Sequence, residues 1–219
     1  MYTLLVSRAT MLVGIAFAVA VLALRWRVTA RLPLVREQAE PRGSAARGMI
    51  YAFTLGMAPW AKESTRRHSL SYARGIGFHL AIFLDLALLI ASPWWSSWAG
   101  PVRIVLALGS GLGALLGAAG ILMRRMEPNL RALSTFDDLL AVSLVTLFLA
   151  ACAICLAWPP LLPMAYLVAT IMFVYVPLGK IRHCLYFFFS RRFFGAFIGR
   201  RGAMHSTGSV GLAPREVSR

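Results

Sequence analysis

The sequence predicts an all-α integral membrane protein: a five-helix transmembrane bundle with its N-terminus outside and its C-terminus cytoplasmic. Of its 219 residues, 59% are hydrophobic and only 14% are charged, with a mean hydropathy of +0.70, which is too apolar for an ordinary water-soluble domain. Five apolar windows are each long enough to cross about 30 Å of hydrocarbon at 1.5 Å per residue. Lys and Arg gather on one side of those windows, as the positive-inside rule requires. Helices rather than strands are expected, because backbone groups in lipid must be satisfied within their own segment and no short alternating strands occur.

The first helix is expected over 2–26. Basic residues Arg25, Arg27 and Arg31 follow its apolar core, where a secretory signal would show a cleavage site, so it reads as a retained anchor. The second, over 75–94, opens with "GIGFHLAIFLDLALLI" and carries His79 and Asp85 inside its apolar run. The third, over 104–123, contains Gly109, Gly113 and Gly117 at four-residue spacing, an interval that lets helices approach closely in lipid. The fourth, over 137–158, is preceded by Ser134, with Asp137 three residues on, a pattern for an N-cap and a first-turn acid. The fifth, over 161–190, is expected to continue through "IRHCLYFFF". These helices define a membrane domain over 1–190, followed by a basic cytoplasmic tail over 191–219.

The formal net charge of +15 raises the question of nucleic acid, and its distribution answers it. Residues 25–74 hold ten Lys/Arg against three Glu, and 180–219 hold eight against one Glu. The opposite side offers little more than Arg8 and Arg103, beside loops that read "SPWWSSWAGP" and "WPPLLP". The charge is therefore a topology signal, no nucleic-acid partner is expected, and the Trp residues at 94, 95, 98 and 158 form an expected outer aromatic belt. Within 25–74 the apolar stretch "MIYAFTLGMAPWA" is broken by Gly56 and Pro59 and reads as an interfacial or docking segment. The cysteine pair in "CAIC", Cys152 and Cys155, has no second pair to complete a zinc or iron–sulfur site and reads as small apolar residues of a helix.

Ionisable groups inside a span are costly, which makes intramembrane histidines functional candidates. The chain has four, His68, His79, His183 and His205. His79 lies in the cytoplasmic half of the second helix and His183 near the cytoplasmic end of the oppositely directed fifth, so two imidazoles are expected at one level. Axial ligation of a b-type haem from both faces needs that arrangement. The alternative is a pair of packing histidines hydrogen-bonded to their neighbours. A second haem does not fit: His68 and His79 are about 16 Å apart on a continuous helix, whereas His183 and His205 are about 33 Å apart. His68, in "STRRHS", reads as a loop residue, and His205 as part of the tail. Arg67, Arg74, Lys180 and Arg182 are candidates to meet the haem propionates; positive-inside charge is their other explanation. Asp85 lies about 9 Å beyond His79 on a different face of the helix. A carboxyl buried there is placed to accept a proton as a quinol is oxidised, or else bonds a neighbouring Ser, Thr or Tyr.

Three segments resemble a known family: "GIGFHLAIF", "GLGALLGAAGILMRRMEPNLRALSTFDDLLAVSLVTLFL" and "VYVPLGKIRHCLYFF". They are similar to the membrane gamma subunit of respiratory nitrate reductase and to its single-haem relatives in heterodisulfide-reductase-like and sulfite-reduction-associated membrane complexes. The resemblance implies a helical membrane cytochrome b of the cell inner (cytoplasmic) membrane, part of a respiratory electron-transport chain. Such a subunit passes electrons between quinone and a cytoplasmic iron–sulfur subunit docked on the basic loops and tail. It implies His79 and His183 as axial ligands of the haem nearer that partner. The positions of the outer-haem ligands are Leu89 and, near the start of the fifth helix, Ala165, so only one haem b is implied, with quinone as an exchangeable substrate. The chain shows no nucleophile, acid–base pair or phosphate loop of its own, so the terminal reaction is assigned to a partner. Two rival classes stay open, a haem-free membrane anchor for a soluble enzyme and a proton or ion transporter using His79 and Asp85; against the transporter stand the expected absence of paired broken helices and of repeat symmetry.

Overall fold

The computed structural model describes residues 2–33, 39–61 and 63–203. It is all-α, with no strand among the described residues. The chain divides into two compact units: Met1–Arg31 with His68–His183, and Leu32–Arg67 with Cys184–Arg219.

The first unit is a multi-pass membrane bundle. It contains α1 (Tyr2–Ala30), α4 (Ser69–Ala91), α5 (Gly100–Met126), the short α6 (Pro128–Leu133), α7 (Phe136–Ala157) and α8 (Leu162–Tyr175). Helices α1, α4, α5 and α7 are each long and apolar enough to cross a membrane; a fifth crossing requires α8 to be taken together with the helical segment after its break. The packing order runs α4, α5, α7, α8, α1, with α7 central. Phe148, Leu149, Cys152, Cys155 and Leu156 of α7 are fully buried. Cys152 and Cys155 are free thiols, Cys155 donating to Leu161 O at 3.1 Å, so the C-x-x-C spacing serves packing.

The outer surface of this unit is greasy and its interior holds the few polar groups. Leu80, Phe83, Leu108, Leu112, Leu167 and Ile171 are exposed, whereas Ser7, Asp85, Ser92 and Ser110 are buried. That inversion is stable where the surrounding solvent is hydrocarbon. Helices then associate through close packing rather than apolar burial, and the glycines of α5 supply the closeness. A Cβ on Gly113 would run into the Ala81 methyl of α4, and one on Gly117 would come within 2.6 Å of the Phe78 ring.

Helix ends follow local chemistry. The helix expected over 104–123 starts earlier, at Gly100, because Pro101 supplies a preset φ in its first turn, and it stops at Met126 because Pro128 holds Glu127 extended. The cap of α7 is Thr135, one residue later than expected. Its backbone N–H donates to Asp138 Oδ2 at 2.9 Å, and its hydroxyl accepts from Asp138 N, a reciprocal capping box. Ser134 is occupied elsewhere, donating to Leu130 O at 2.7 Å and accepting from Arg124 Nη1 at 3.2 Å. The aromatic belt also needs correcting. Trp94 and Trp158 are exposed as a belt requires, but Trp95 is wholly buried, its indole N–H donating to Leu88 O at 2.9 Å.

The fifth helix is not continuous over 161–190. It ends at Tyr175; residues 176–179 form a turn, Lys180–Arg182 form one 3-10 turn, and α9 (His183–Arg201) begins at the histidine. Pro177 explains the stop, since its ring clashes with the carbonyl four residues back and it has no N–H for the ladder. The helix α9 then runs on through Arg201, so the stretch expected as a tail from 191 is helical over its first eleven residues.

The second unit contains α2 (Ala45–Phe53), α3 (Glu63–Arg67) and α9 from Cys184 onward. The hydroxyl of Ser44 caps α2, accepting from Arg47 N. The expected interfacial stretch is half realised as helix: α2 ends at Phe53, and Gly56 and Pro59 fall in two 3-10 turns that follow.

Candidate functional site

The first unit brings His79 and His183 together. His79 stands on α4, about three turns from its start, and His183 is the first residue of α9. Their ring centroids lie 6.5 Å apart with the planes at 79°. Each ring is oriented by a backbone carbonyl through Nδ1: His79 bonds Gly75 O at 2.7 Å and His183 bonds Lys180 O at 2.8 Å. A carbonyl can only accept, so each Nδ1 carries the proton and donates, which leaves each Nε2 as a lone-pair donor. Both side chains are exposed.

This donor set has a definite chemical use. Two neutral imidazoles binding one metal from opposite sides at about 2.0–2.1 Å would place their centroids roughly 6.3 Å apart. Among the described residues no third His, Cys, Asp or Glu joins them to form a metal-binding group. A bare ion such as zinc takes four protein ligands, or three and a water; two alone suit a metal whose other ligands come from a planar group. The 6.5 Å separation of His79 and His183 is close to that spacing, so the two residues could hold such a group, and Nδ1–H to carbonyl bonds are of the kind that orient imidazole ligands.

The break between α8 and α9 sets where His183 sits, and it is pinned to the start of α7. The Tyr175 hydroxyl donates to the Asp137 carboxylate and lies 3.1 Å from the Asp137 carbonyl. The Lys180 ammonium lies 2.6 Å from Asp138 Oδ2 and 3.0 Å from Thr135 Oγ1. Pro177 is fully buried between these clamps, and Gly179 is required because the Tyr175 ring fills the space a Cβ would take. The sequence reading took Asp137 only as a first-turn acid and passed over Asp138 and Tyr175. The signal was available: two acids at a helix start match the lysine that follows the "PLG" break.

The cationic candidates fall in different settings. Arg74, one and a half turns before His79, lays its guanidinium over Gly120 of α5, with Nη1 3.4 Å from Leu116 O and a buried Nε that has no hydrogen bond. Arg182 donates to Leu178 O at 3.2 Å. Lys180 is held by Asp138. Arg67 belongs to the second unit, where it pairs with Glu63 at 2.5 Å on the surface of α3. His68 is exposed at the N-cap of α4, as its loop reading requires, and His205 lies outside the described residues.

Asp85 is wholly buried between α4 and α5. Ser110 Oγ donates to its Oδ1 at 2.5 Å, while Oδ2 has no hydrogen bond. Asp85 thus bonds a neighbouring serine through one oxygen, and its burial beside the exposure of His79 puts the two on different faces. At the far end of α4, a cleft of about 590 Å³ opens between the starts of α1 and α8, lined by Thr3, Leu5, Arg8, Pro93, Pro163 and Tyr166 among others.

Comparison with protein-family models, with curated proteins and with solved structures finds no match to this chain.

Proposed function

We propose that the chain is a cytochrome b subunit of a membrane oxidoreductase complex, with His79 and His183 as axial ligands of one haem b. The observation that carries this is the imidazole pair, 6.5 Å between centroids, with each Nδ1 engaged by a backbone carbonyl. The resemblance read from the three quoted segments is its other ground, to which the comparisons add nothing. The haem would supply one-electron chemistry when bound. The chain's own work is to hold both imidazoles in one tautomer, to keep them in an apolar setting that tunes potential, and to offer cationic groups at the membrane interface. Arg74 and Arg182 are the proposed propionate partners, with Lys180 as a further donor; Arg67, expected among them, lies in the second unit paired with Glu63.

In this reading the N-terminus is outside and the C-terminus cytoplasmic in the cell inner membrane, by the distribution of Lys and Arg. Membrane quinone or quinol is the exchangeable substrate, and an iron–sulfur subunit on the cytoplasmic side is the electron partner, met by the basic loops and tail. Asp85 is the proposed proton acceptor linked to quinol oxidation; its unpartnered Oδ2 supports that role.

The test is the absorption spectrum of the purified full chain. A dithionite-reduced b-type α-band is expected, with about one haem per chain, and it should disappear in His79→Ala and in His183→Ala while helical content is kept. A folded, colourless protein would favour the anchor or transporter reading.

A further inference from the structure

The second unit carries an unusual surface for which the bundle has no use. Its two segments are basic: residues 32–67 hold six Lys/Arg against three Glu, and 184–219 hold six against one. They are joined through glycines. A Cβ on Gly48 of α2 would lie 2.6 Å from Gly199 Cα, and one on Gly195 would lie 2.6 Å from Gly48 O. Arg42 N donates to Arg200 O at 2.7 Å, and Phe53 stacks against Phe188 with centroids 6.3 Å apart.

That glycine contact fixes which side of α9 faces outward. At about 100° per residue, Phe193, Phe194 and Phe197 fall within a sector roughly 100° wide, on the side of α9 opposite Gly195 and Gly199. All three are exposed, at 52%, 47% and 41%. Ile50, Leu55 and Trp60 add exposed apolar surface on the other segment. A guanidinium stands against one of these rings, Arg201 lying 5.3 Å over Phe197, and on the preceding turns Arg191 lies 5.6 Å over Phe187. An apolar patch of this kind is not left to water. α2, at nine residues, is too short to cross, and the part of α9 with Arg191 and Arg192 is too charged for hydrocarbon, so only the first turns of α9 can serve the fifth crossing begun by α8.

We infer that the α2–α9 unit is an interfacial module that seats its Phe193–Phe194–Phe197 face in the headgroup layer of an anionic phospholipid bilayer. Aromatic rings enter the acyl boundary while the flanking arginines meet lipid phosphates and the negative surface potential. Phenylalanines framed by arginines fit that occupant better than an acidic protein surface, which would match the charge but not the rings. The inference does not depend on a haem being bound; it gives the α2–α9 surface to lipid and leaves the remaining basic residues to the proposed electron partner.

The test uses the full chain in nanodiscs. Cys152 and Cys155 are buried and Cys184 is exposed, so a Cys184→Ser/Phe194→Cys variant offers one accessible thiol for a polarity-sensitive dye. In discs containing about 30% phosphatidylglycerol, the dye is expected to emit at shorter wavelength and to resist iodide quenching several-fold better than in pure phosphatidylcholine discs. Adding Arg200→Gln and Arg201→Gln should remove the difference between the two lipids. As a check that needs no label, native mass spectrometry of the wild-type chain should show phosphatidylglycerol retained in several-fold preference to phosphatidylcholine. Equal dye emission in the two lipids, equal retention, or a shift produced only by added polyglutamate would overturn the inference.

Discussion

Lys180 and Asp138 meet at 2.6 Å and tie the turn that follows α8 to the first turn of α7, three residues before the helix that His183 opens. Asp138 has two duties, as the acceptor of the Thr135 cap and as the partner of Lys180. Replacing it with Ala should cost about 1 kcal/mol from the cap. The ion pair adds at most about 0.5 kcal/mol, because Lys180 is partly exposed. Asp138→Asn keeps an acceptor for the cap and loses the charge. The expected order of thermal stability, followed by circular dichroism in detergent, is wild type, then Asp138→Asn, then Asp138→Ala, and haem retention should fall in the same order.

The Tyr175 ring and Gly179 share one space, and that predicts a suppressor. Gly179→Ala alone should destabilise by about 1–3 kcal/mol through overpacking. In a Tyr175→Ala background the same substitution should cost much less, because the obstructing ring is gone. A double-mutant cycle on thermal unfolding measures the coupling; additivity would mean that the two residues do not compete.

Much of this architecture is legible in the sequence, and the misses have physical causes. The spans announce themselves because lipid demands uninterrupted apolar runs, and a shared level for His79 and His183 was readable from depth, although His183 opens α9 after the break rather than ending the antiparallel helix. The break at 176–182 was written in Pro177 and Gly179, but the apolar run across it is so strong that hydropathy alone reads through. Thr135 rather than Ser134 caps α7 because Ser134 closes the preceding turn, a choice between adjacent hydroxyls that only tertiary contacts decide. Trp95 turns inward because its indole N–H finds the Leu88 carbonyl. The Gly48 contact with Gly195 and Gly199 joins residues far apart in the chain, and nothing local marks Gly48 as a partner.

Asp85 and Ser110 form a buried pair with unequal sensitivities. Ser110→Ala leaves the carboxyl without its donor and should destabilise by about 1–3 kcal/mol. Asp85→Asn conserves shape and an acceptor for Ser110, so the fold should survive it. If Asp85 takes up the quinol proton, Asp85→Asn should slow quinol-dependent haem reduction by about tenfold or more with dithionite reduction unaffected. Stopped-flow absorbance follows both reactions, and an unchanged quinol rate would remove Asp85 from the pathway.

The glycine contact of the second unit should tolerate no side chain. Gly48→Val puts methyl groups where Gly199 backbone lies, with an expected loss of about 1–3 kcal/mol that is local to α2 and α9. Hydrogen exchange should then speed up over residues 45–53 and 184–201 while α5 and α7 keep their protection. Faster exchange throughout the bundle would mean that the two units do not unfold separately.

The central claim is that one haem iron is held between His79 and His183. The most direct measurement is near-infrared magnetic circular dichroism of the oxidised full chain, whose charge-transfer band reports the two axial ligands of the iron. The predicted result is a bis-imidazole signature that is lost when either histidine becomes alanine. A signature of any other ligand pair, or a bis-imidazole band that survives in His79→Ala or His183→Ala, would contradict it.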